Sequence, residues 1–260
     1  MFAVSPVKFY NPSFGIFFNN IKDDEGNIKY RGDTRICRDD LYFPDVVNFL
    51  DKKYKNVPKV NVIMHACSNG EEVYSFLGVL VSRLGQKASK FLPVSARDFD
   101  AEHLKLAKKG IYQITKSEYM LANNFMNGNF YAYFDYLPQK IVKDPLLKYT
   151  NTVKVNDMLK TFVNFKQSDI LEDSKQTDFK NTILFARNFW PYLSNIEQHE
   201  LARTLSKTMD NTSTLVIGDF DKEKANVGAL LKIYGFAETK VENVFEKPKN
   251  DNYKQIIKNI

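Results

Sequence analysis

The sequence predicts an α/β fold built on a mostly parallel sheet with helices on both faces. Three observations carry this. Short apolar runs alternate with amphipathic stretches from residue 60 to 110 and again from 182 to 245. The alternation breaks between 111 and 170, where β-branched and aromatic runs predict a small antiparallel insertion. Polar turn motifs recur where the apolar runs end, and the carboxyl ends of parallel strands are where such sheets bind ligands.

Residues 1–45 are rich in turn formers, such as Asn11-Pro12-Ser13 and Lys22 to Asn27, and predict a loose arm with one hairpin. A helix is expected over Pro44–Lys53, with Val46, Val47 and Leu50 on one side and Asn56-Val57-Pro58 ending it. Val60 to Met64 reads as a buried strand. Val73, Leu77, Leu80, Val81 and Leu84 recur at helical spacing and stop at Gly85. Phe91 to Ala96 reads as the second strand, with Pro93 suited to a strand end or edge. Asp100 is placed to cap a helix carrying Leu104 and Ala107 and ended by Gly110.

Within the break, a helix is expected near Ser117–Phe125, followed by Phe130 to Phe134, Thr152 to Val155 and Thr161 to Phe165 as parts of the insertion. Thr182 to Ala186 resumes the alternation. Ser194 and Glu197 form a capping box before a helix with Leu201, Leu205 and Met209. Ser213 to Gly218 is a further strand, Val227 to Tyr234 a helix ended by Gly235, and Val241–Phe245 a closing strand. The expected layout is an arm over 1–45 with a reduced helical region, a main domain over 46–250 with a β subdomain at about 130–168, and a polar tail over 251–260.

Bulk properties exclude several classes. No run approaches the roughly 20 apolar residues that span a bilayer, and Met1 to Pro6 lacks the pattern of a signal peptide. Two cysteines, Cys37 and Cys67, make no disulfide framework, so a cytoplasmic protein without membrane insertion is expected. His65, His103 and His199 have no metal-ligand spacing with them, so no metal is expected. The net charge of +6 comes from dispersed lysines interleaved with acids, which argues against a nucleic-acid stripe.

The chemistry sits in the strand-end turns. Ala66-Cys67-Ser68-Asn69-Gly70-Glu71-Glu72 lacks the glycines of a dinucleotide fingerprint and the Gly-Lys-Ser/Thr of a phosphate loop. It offers two carboxylates, which suit an amino-bearing, cationic ligand such as S-adenosylmethionine. The same acids also fit an ordinary helix start, where they favour the macrodipole. Asp98, in Arg97-Asp98-Phe99-Asp100, is placed to accept from both hydroxyls of a ribose. Asp169 is placed to meet an adenine amino group, or is a plain turn residue. Arg187-Asn188 ends a buried strand and needs partners, and Trp190 and Tyr192 are core residues or a lid.

Taken together, the runs resemble the chemotaxis-receptor (CheR-type) methyltransferases. Ala66 to Ser75 is similar to that family's first motif, and Asp98-Phe99-Asp100 with Leu104, Ala107, Gly110, Ile111 and Tyr112 to its second. Phe165 with Asp169-Ile170-Leu171, Arg187-Asn188-Phe189 with Tyr192-Leu193, and Thr34 with Ile36-Cys37-Arg38 and Pro44 complete five motifs in order over 34–193.

The resemblance implies a doubly wound, Rossmann-like class I methyltransferase sheet with a small antiparallel insertion. It implies S-adenosylmethionine as cofactor and S-adenosylhomocysteine as product. Thr34, Arg38, Ala66, Cys67, Gly70, Glu71 or Glu72, Asp98, Phe99, Asp169, Ile170, Asn188 and Phe189 match cofactor-contacting positions, and Arg38 and Tyr192 match positions near the transferred methyl. The implied activity is methylation of glutamate carboxylates on an acceptor protein, such as the cytoplasmic region of a chemoreceptor. A module that binds the cofactor without transferring methyl, or a methyltransferase for another acceptor, is the alternative.

The chain departs from the family at Gly32 (usually Asn), Ile36 and Cys37 (usually Phe), Val73 (usually Pro) and Asp169 (usually Asn), and the N-terminal helical domain is reduced to an arm. Arg38 has a second reading as the surface partner of Asp39 or Asp40. A glutamate nucleophile is already ionised at neutral pH, so catalysis requires no triad and rests on alignment in a dry site.

Overall fold

The computed structural model describes residues 21–22, 28–30, 35–138 and 150–248. Thr34, the Gly32 departure and the tail over 251–260 lie outside them.

A short antiparallel pair, β1 (Ile21–Lys22) and β2 (Ile28–Tyr30), is the hairpin of the arm. Helix α1 (Phe43–Lys53) follows and buries Val46, Val47 and Leu50. The central chain then runs β3 (Asn61–His65), α2 (Glu71–Leu84), β4 (Val94–Asp98) and α3 (Ala101–Lys109). The insertion comprises β5 (Ile111–Thr115), α4 (Lys116–Phe125), β6 (Phe134–Leu137), β7 (Thr150–Val155) and α5 (Asp157–Lys160). The chain returns through β8 (Val163–Gln167), α6 (Ile170–Gln176), β9 (Thr182–Ala186), α7 (Asn195–Thr208), β10 (Thr214–Val216), α8 (Asp219–Ala225), α9 (Val227–Ile233), β11 (Ala237–Glu238) and β12 (Val244–Glu246).

Among the described residues the main sheet has seven strands in the order β11-β12-β10-β9-β3-β4-β8. Strands β10, β9, β3, β4 and β8 are mutually parallel, while β12 and β11 close one edge antiparallel. The chain steps outward from β3 through β4 to β8, then crosses back to β9 on the far side of β3. The reversal between β3 and β9 opens a crevice at the carboxyl ends of these strands.

Strand alternation feeds two cores, one on each face. Val62, Met64, Ile183 and Phe185 join one core, with α1 and α2, and Ile63, Leu184 and Ala186 join the other, with α7 and α9. Capping agrees with the sequence reading. Asp100 accepts from the N–H groups of Glu102 and His103, and Ser194 and Glu197 form the reciprocal box.

The structure corrects three expectations. Phe91 and Leu92 lie in a tight turn before β4, which begins at Val94 with Pro93 outside it. Ile111–Thr115 is a strand, and it pairs with β7 in the three-stranded sheet β5-β7-β6, so the insertion begins earlier than 130. Val163–Gln167 belongs to the main sheet rather than the insertion, pairing in parallel with β4 from Val94↔Val163 to Asp98↔Gln167. The alternation of polar and apolar residues in this strand matched either sheet, and only the pairing distinguishes them. Among the described residues no helix is long and apolar enough to cross a membrane.

Candidate active site

A cleft opens at the carboxyl ends of β3, β4, β8 and β9. Four turns line it: Ala66, Cys67, Ser68 and Glu72 after β3, Asp98 and Phe99 at β4, Ser168 to Leu171 after β8, and Arg187 to Phe189 after β9. Arg38, Tyr192 and Leu193 also line it.

The turn after β3 is strained. Ala66 and Ser68 hold φ of 53° and 47°, a left-handed conformation that costs a non-glycine residue about 1 kcal/mol or more. Gly70, at φ +89°, begins α2, and a Cβ there would meet Ala107 Cβ at 2.9 Å. This glycine therefore allows α2 and α3 to approach.

Asp98 is 5% exposed at the end of β4. Its Oδ2 accepts from Ser68 N at 2.7 Å and its Oδ1 from Asp100 N at 2.9 Å, so both oxygens are oriented before any ligand arrives. Burial raises its pKa, against those two backbone hydrogen bonds and the nearby His103. Asp169 caps α6, accepting from Leu171 N at 2.7 Å through Oδ1.

Between the β3 and β9 turns lies a buried ion network. Arg187, its side chain 1% exposed, approaches Glu72 at 2.8 Å and Asp40 at 3.0 Å and donates through Nε to Ile217 O. Burial works against the Arg187 cation, but Glu72 and Asp40 outweigh it and hold the guanidinium charged. Asp40 is pushed up by burial and down by Arg187 and Arg38, with a net lowering. Asn188, at φ 61°, donates through Nδ2 to Asp40, and its Oδ1 is buried without a hydrogen-bond partner among the described residues. Asp221 ties this turn to α8, accepting from the N–H groups of Asn188, Gly218 and Trp190.

Most site residues expected from sequence come together. Arg38, Ala66, Cys67, Glu72, Asp98, Phe99, Asp169, Ile170, Asn188, Phe189 and Tyr192 line one cleft. Gly70 and Glu71 do not. Glu71 is buried, near Tyr112, on the α2 side facing the insertion, whereas Glu72 faces the cleft. Thr34 lies outside the described residues. Arg38 lines the cleft and also pairs with Asp40 at 3.6 Å. Sequence reasoning missed His65, Ser68, His103, Ser168 and Glu197, which also line the cleft. Their position beside the strand-end motifs was the available signal.

The family described as "CheR methyltransferase, SAM binding domain" matches residues 32–232. This chain belongs to that family. The match takes in the four strand-end turns of the cleft and the inserted antiparallel sheet, and it ends before β11 and β12. A chemotaxis protein methyltransferase of Salmonella typhimurium (strain LT2) is 26% identical over 174 residues, covering 65% of this chain and 53% of that protein. The matched region is thus about half the length of that relative.

Solved structures similar to this CheR-family chain include a TehB-like SAM-dependent methyltransferase from Corynebacterium glutamicum, 11% identical with a TM-score of 0.40. That match covers 81% of this chain and 90% of the other. Another is a magnesium protoporphyrin IX methyltransferase from Synechocystis PCC 6803 with bound SAM. It is 14% identical with a TM-score of 0.39, covering 79% and 78%.

The CheR-family site fits S-adenosylmethionine on its own chemistry. The oriented Asp98 carboxylate suits a diol, the Glu72 carboxylate suits an ammonium, and Asp169 has a second oxygen beyond the one used for capping.

Proposed function

We propose that this chain transfers a methyl group from S-adenosylmethionine to a glutamate carboxylate of an acceptor protein, of the kind a chemoreceptor's cytoplasmic region presents. The observation that carries this reading is the set of three carboxylates, Asp169, Asp98 and Glu72, that line one cleft in a chain of the CheR family, with Arg38 and Tyr192 also on its wall.

On this reading Asp98 takes the ribose hydroxyls, Asp169 with Ile170 the adenine, and Glu72 the ammonium of the cofactor. Ala66, Cys67, Asn188 and Phe189 close around it. When bound, S-adenosylmethionine supplies an electrophilic methyl on a sulfonium. The acceptor glutamate arrives ionised, since its ordinary pKa is about 4.3, so no general base is required. Arg38 attracts and orients that carboxylate, and its pairing with Asp40 fixes the guanidinium at the cleft wall. Tyr192 borders the acceptor. The apolar Phe189 and Leu193 keep water from competing with the carboxylate oxygen.

The test supplies methyl-labelled cofactor and a glutamate-bearing acceptor protein. Expected is incorporation released as methanol by mild base, the signature of a carboxyl ester, and its loss in Arg38→Ala. Base-stable label would move the acceptor to nitrogen. Calorimetric binding of S-adenosylhomocysteine without turnover on any acceptor would leave only a binding module.

A further inference from the structure

Beneath the cleft, three basic side chains stand in one row across three neighbouring strands. His65 of β3 is in register with Arg97 of β4, and Arg97 with Lys166 of β8. All three face a single carboxylate, Asp173 of α6. His65 Nε2 lies 2.9 Å from Asp173 Oδ2, Arg97 Nη1 donates to the same oxygen, and Lys166 Nζ lies 4.0 Å from Oδ1. The His65 side chain is 1% exposed and that of Asp173 11%. Burial raises the Asp173 carboxyl, but the His65 hydrogen bond and the Arg97 charge prevail and hold it well below the usual carboxylate range.

The row reaches the cleft floor at His65, which lines it, and runs just beneath it at Arg97, which precedes the lining residue Asp98. Asp173 sits one helical turn after Asp169 and donates its backbone N–H to Asp169 O at 2.9 Å. Helix α6 is only seven residues long, too short to hold its own geometry without tertiary contacts. Its first turn nevertheless supplies Ile170 and Leu171 to the cleft, beside the Asp169 cap.

We infer that Asp173, gripped by His65 and Arg97, is a positioning residue that holds the Asp169–Leu171 turn against the sheet and so sets the affinity of the adenine end of the cleft. The inference rests on the reading that this cleft binds S-adenosylmethionine. It adds that adenine affinity is set from below, by a charge cluster in which neither Arg97 nor Asp173 lines the cleft.

The test uses calorimetry with two probes: S-adenosylhomocysteine, and methylthioadenosine, which carries adenine and ribose but no amino-acid end. Asp173→Asn is expected to weaken both probes by the same factor, about tenfold, as for the loss of a charge-assisted bond. The KM for the methyl donor should rise in step. Arg97→Met should weaken both probes similarly. The double variant should be no worse than Asp173→Asn alone, because the two residues act as one unit.

Native affinity for both probes in folded Asp173→Asn and Arg97→Met would overturn the inference, as would a loss confined to S-adenosylhomocysteine or strictly additive effects. Failure of the native protein to bind either probe would instead overturn the cofactor reading beneath it.

Discussion

Arg187 Nη1 stands 2.8 Å from Glu72 Oε2, joining the turn after β9 to the first turn of α2 across the sheet's point of reversal. Asp40 holds the other arm of the same guanidinium at 3.0 Å, so a residue far upstream in sequence is bound into the site. Removing the cation leaves two carboxylates with side chains only 16% and 17% exposed, with Arg38 still 3.6 Å from Asp40 but the charge that joins Asp40 to Glu72 gone. Arg187→Met is therefore expected to lose about 3–5 kcal/mol of stability, measured by urea unfolding. A loss below about 1 kcal/mol would mean that the network is solvated.

The two adjacent acids of α2 should behave differently. Glu72 lines the cleft and Glu71 does not. Glu72→Gln is expected to weaken S-adenosylhomocysteine by about tenfold or more, the worth of a charge-assisted contact. Glu71→Gln should leave that affinity near native and show any effect in thermal unfolding. Calorimetry on both variants decides it, and the reverse ranking would reassign the ammonium contact.

Asp98 is oriented by two backbone N–H donors before any ligand enters. Asp98→Ala should reduce affinity for S-adenosylhomocysteine by about 1.5–3 kcal/mol, the range for hydrogen bonds to a charged group. The corresponding 2′-deoxy analogue should bind native protein less tightly and the variant with little further loss.

Gly218 packs against the Asn188 carboxamide so closely that a Cβ would lie 2.0 Å from Asn188 Oδ1. Gly218→Ala must push Asn188 out of its place beside Asp40. Expected is a cost of about 1–3 kcal/mol, typical of overpacking, together with weaker cofactor binding in the same calorimetric assay. Unchanged affinity would remove Asn188 from the binding surface.

Asp221 gives stability a pH dependence. Burial raises its pKa from 3.8 to about 7, against three backbone donors and Arg187. The folded pKa lies above the unfolded one, so the folded state takes up a proton. This contribution is fully present below about pH 4 and is lost as pH rises through about 7. Its size is on the order of 4 kcal/mol, at 1.36 kcal/mol per unit. Urea unfolding from pH 4 to 8 should show that slope in the native protein and lack it in Asp221→Asn.

Much of the site was legible because its residues cluster at strand ends. Apolar runs mark the strands, and the polar residues immediately after Met64, Ala96 and Ala186 fall in or beside the cleft. What was not legible concerned side-chain direction. Glu71 and Glu72 are equivalent in sequence, and 100° of helix rotation sends one into the cleft and the other toward the insertion. The row of His65, Arg97 and Lys166 was also invisible, since it exists only once three separated strands align in register.

The α/β class, the order of the elements and the strand-end turns that line the cleft could all be read from the chain, because hydrophobic periodicity and capping are local properties. Only the folded arrangement puts β8 in the main sheet, bridges Glu72 and Asp40 with Arg187, and gathers His65, Arg97 and Lys166 around Asp173 beneath the cleft. These are non-local pairings, and a strand or a buried charge finds its partner only when the whole chain has closed around it.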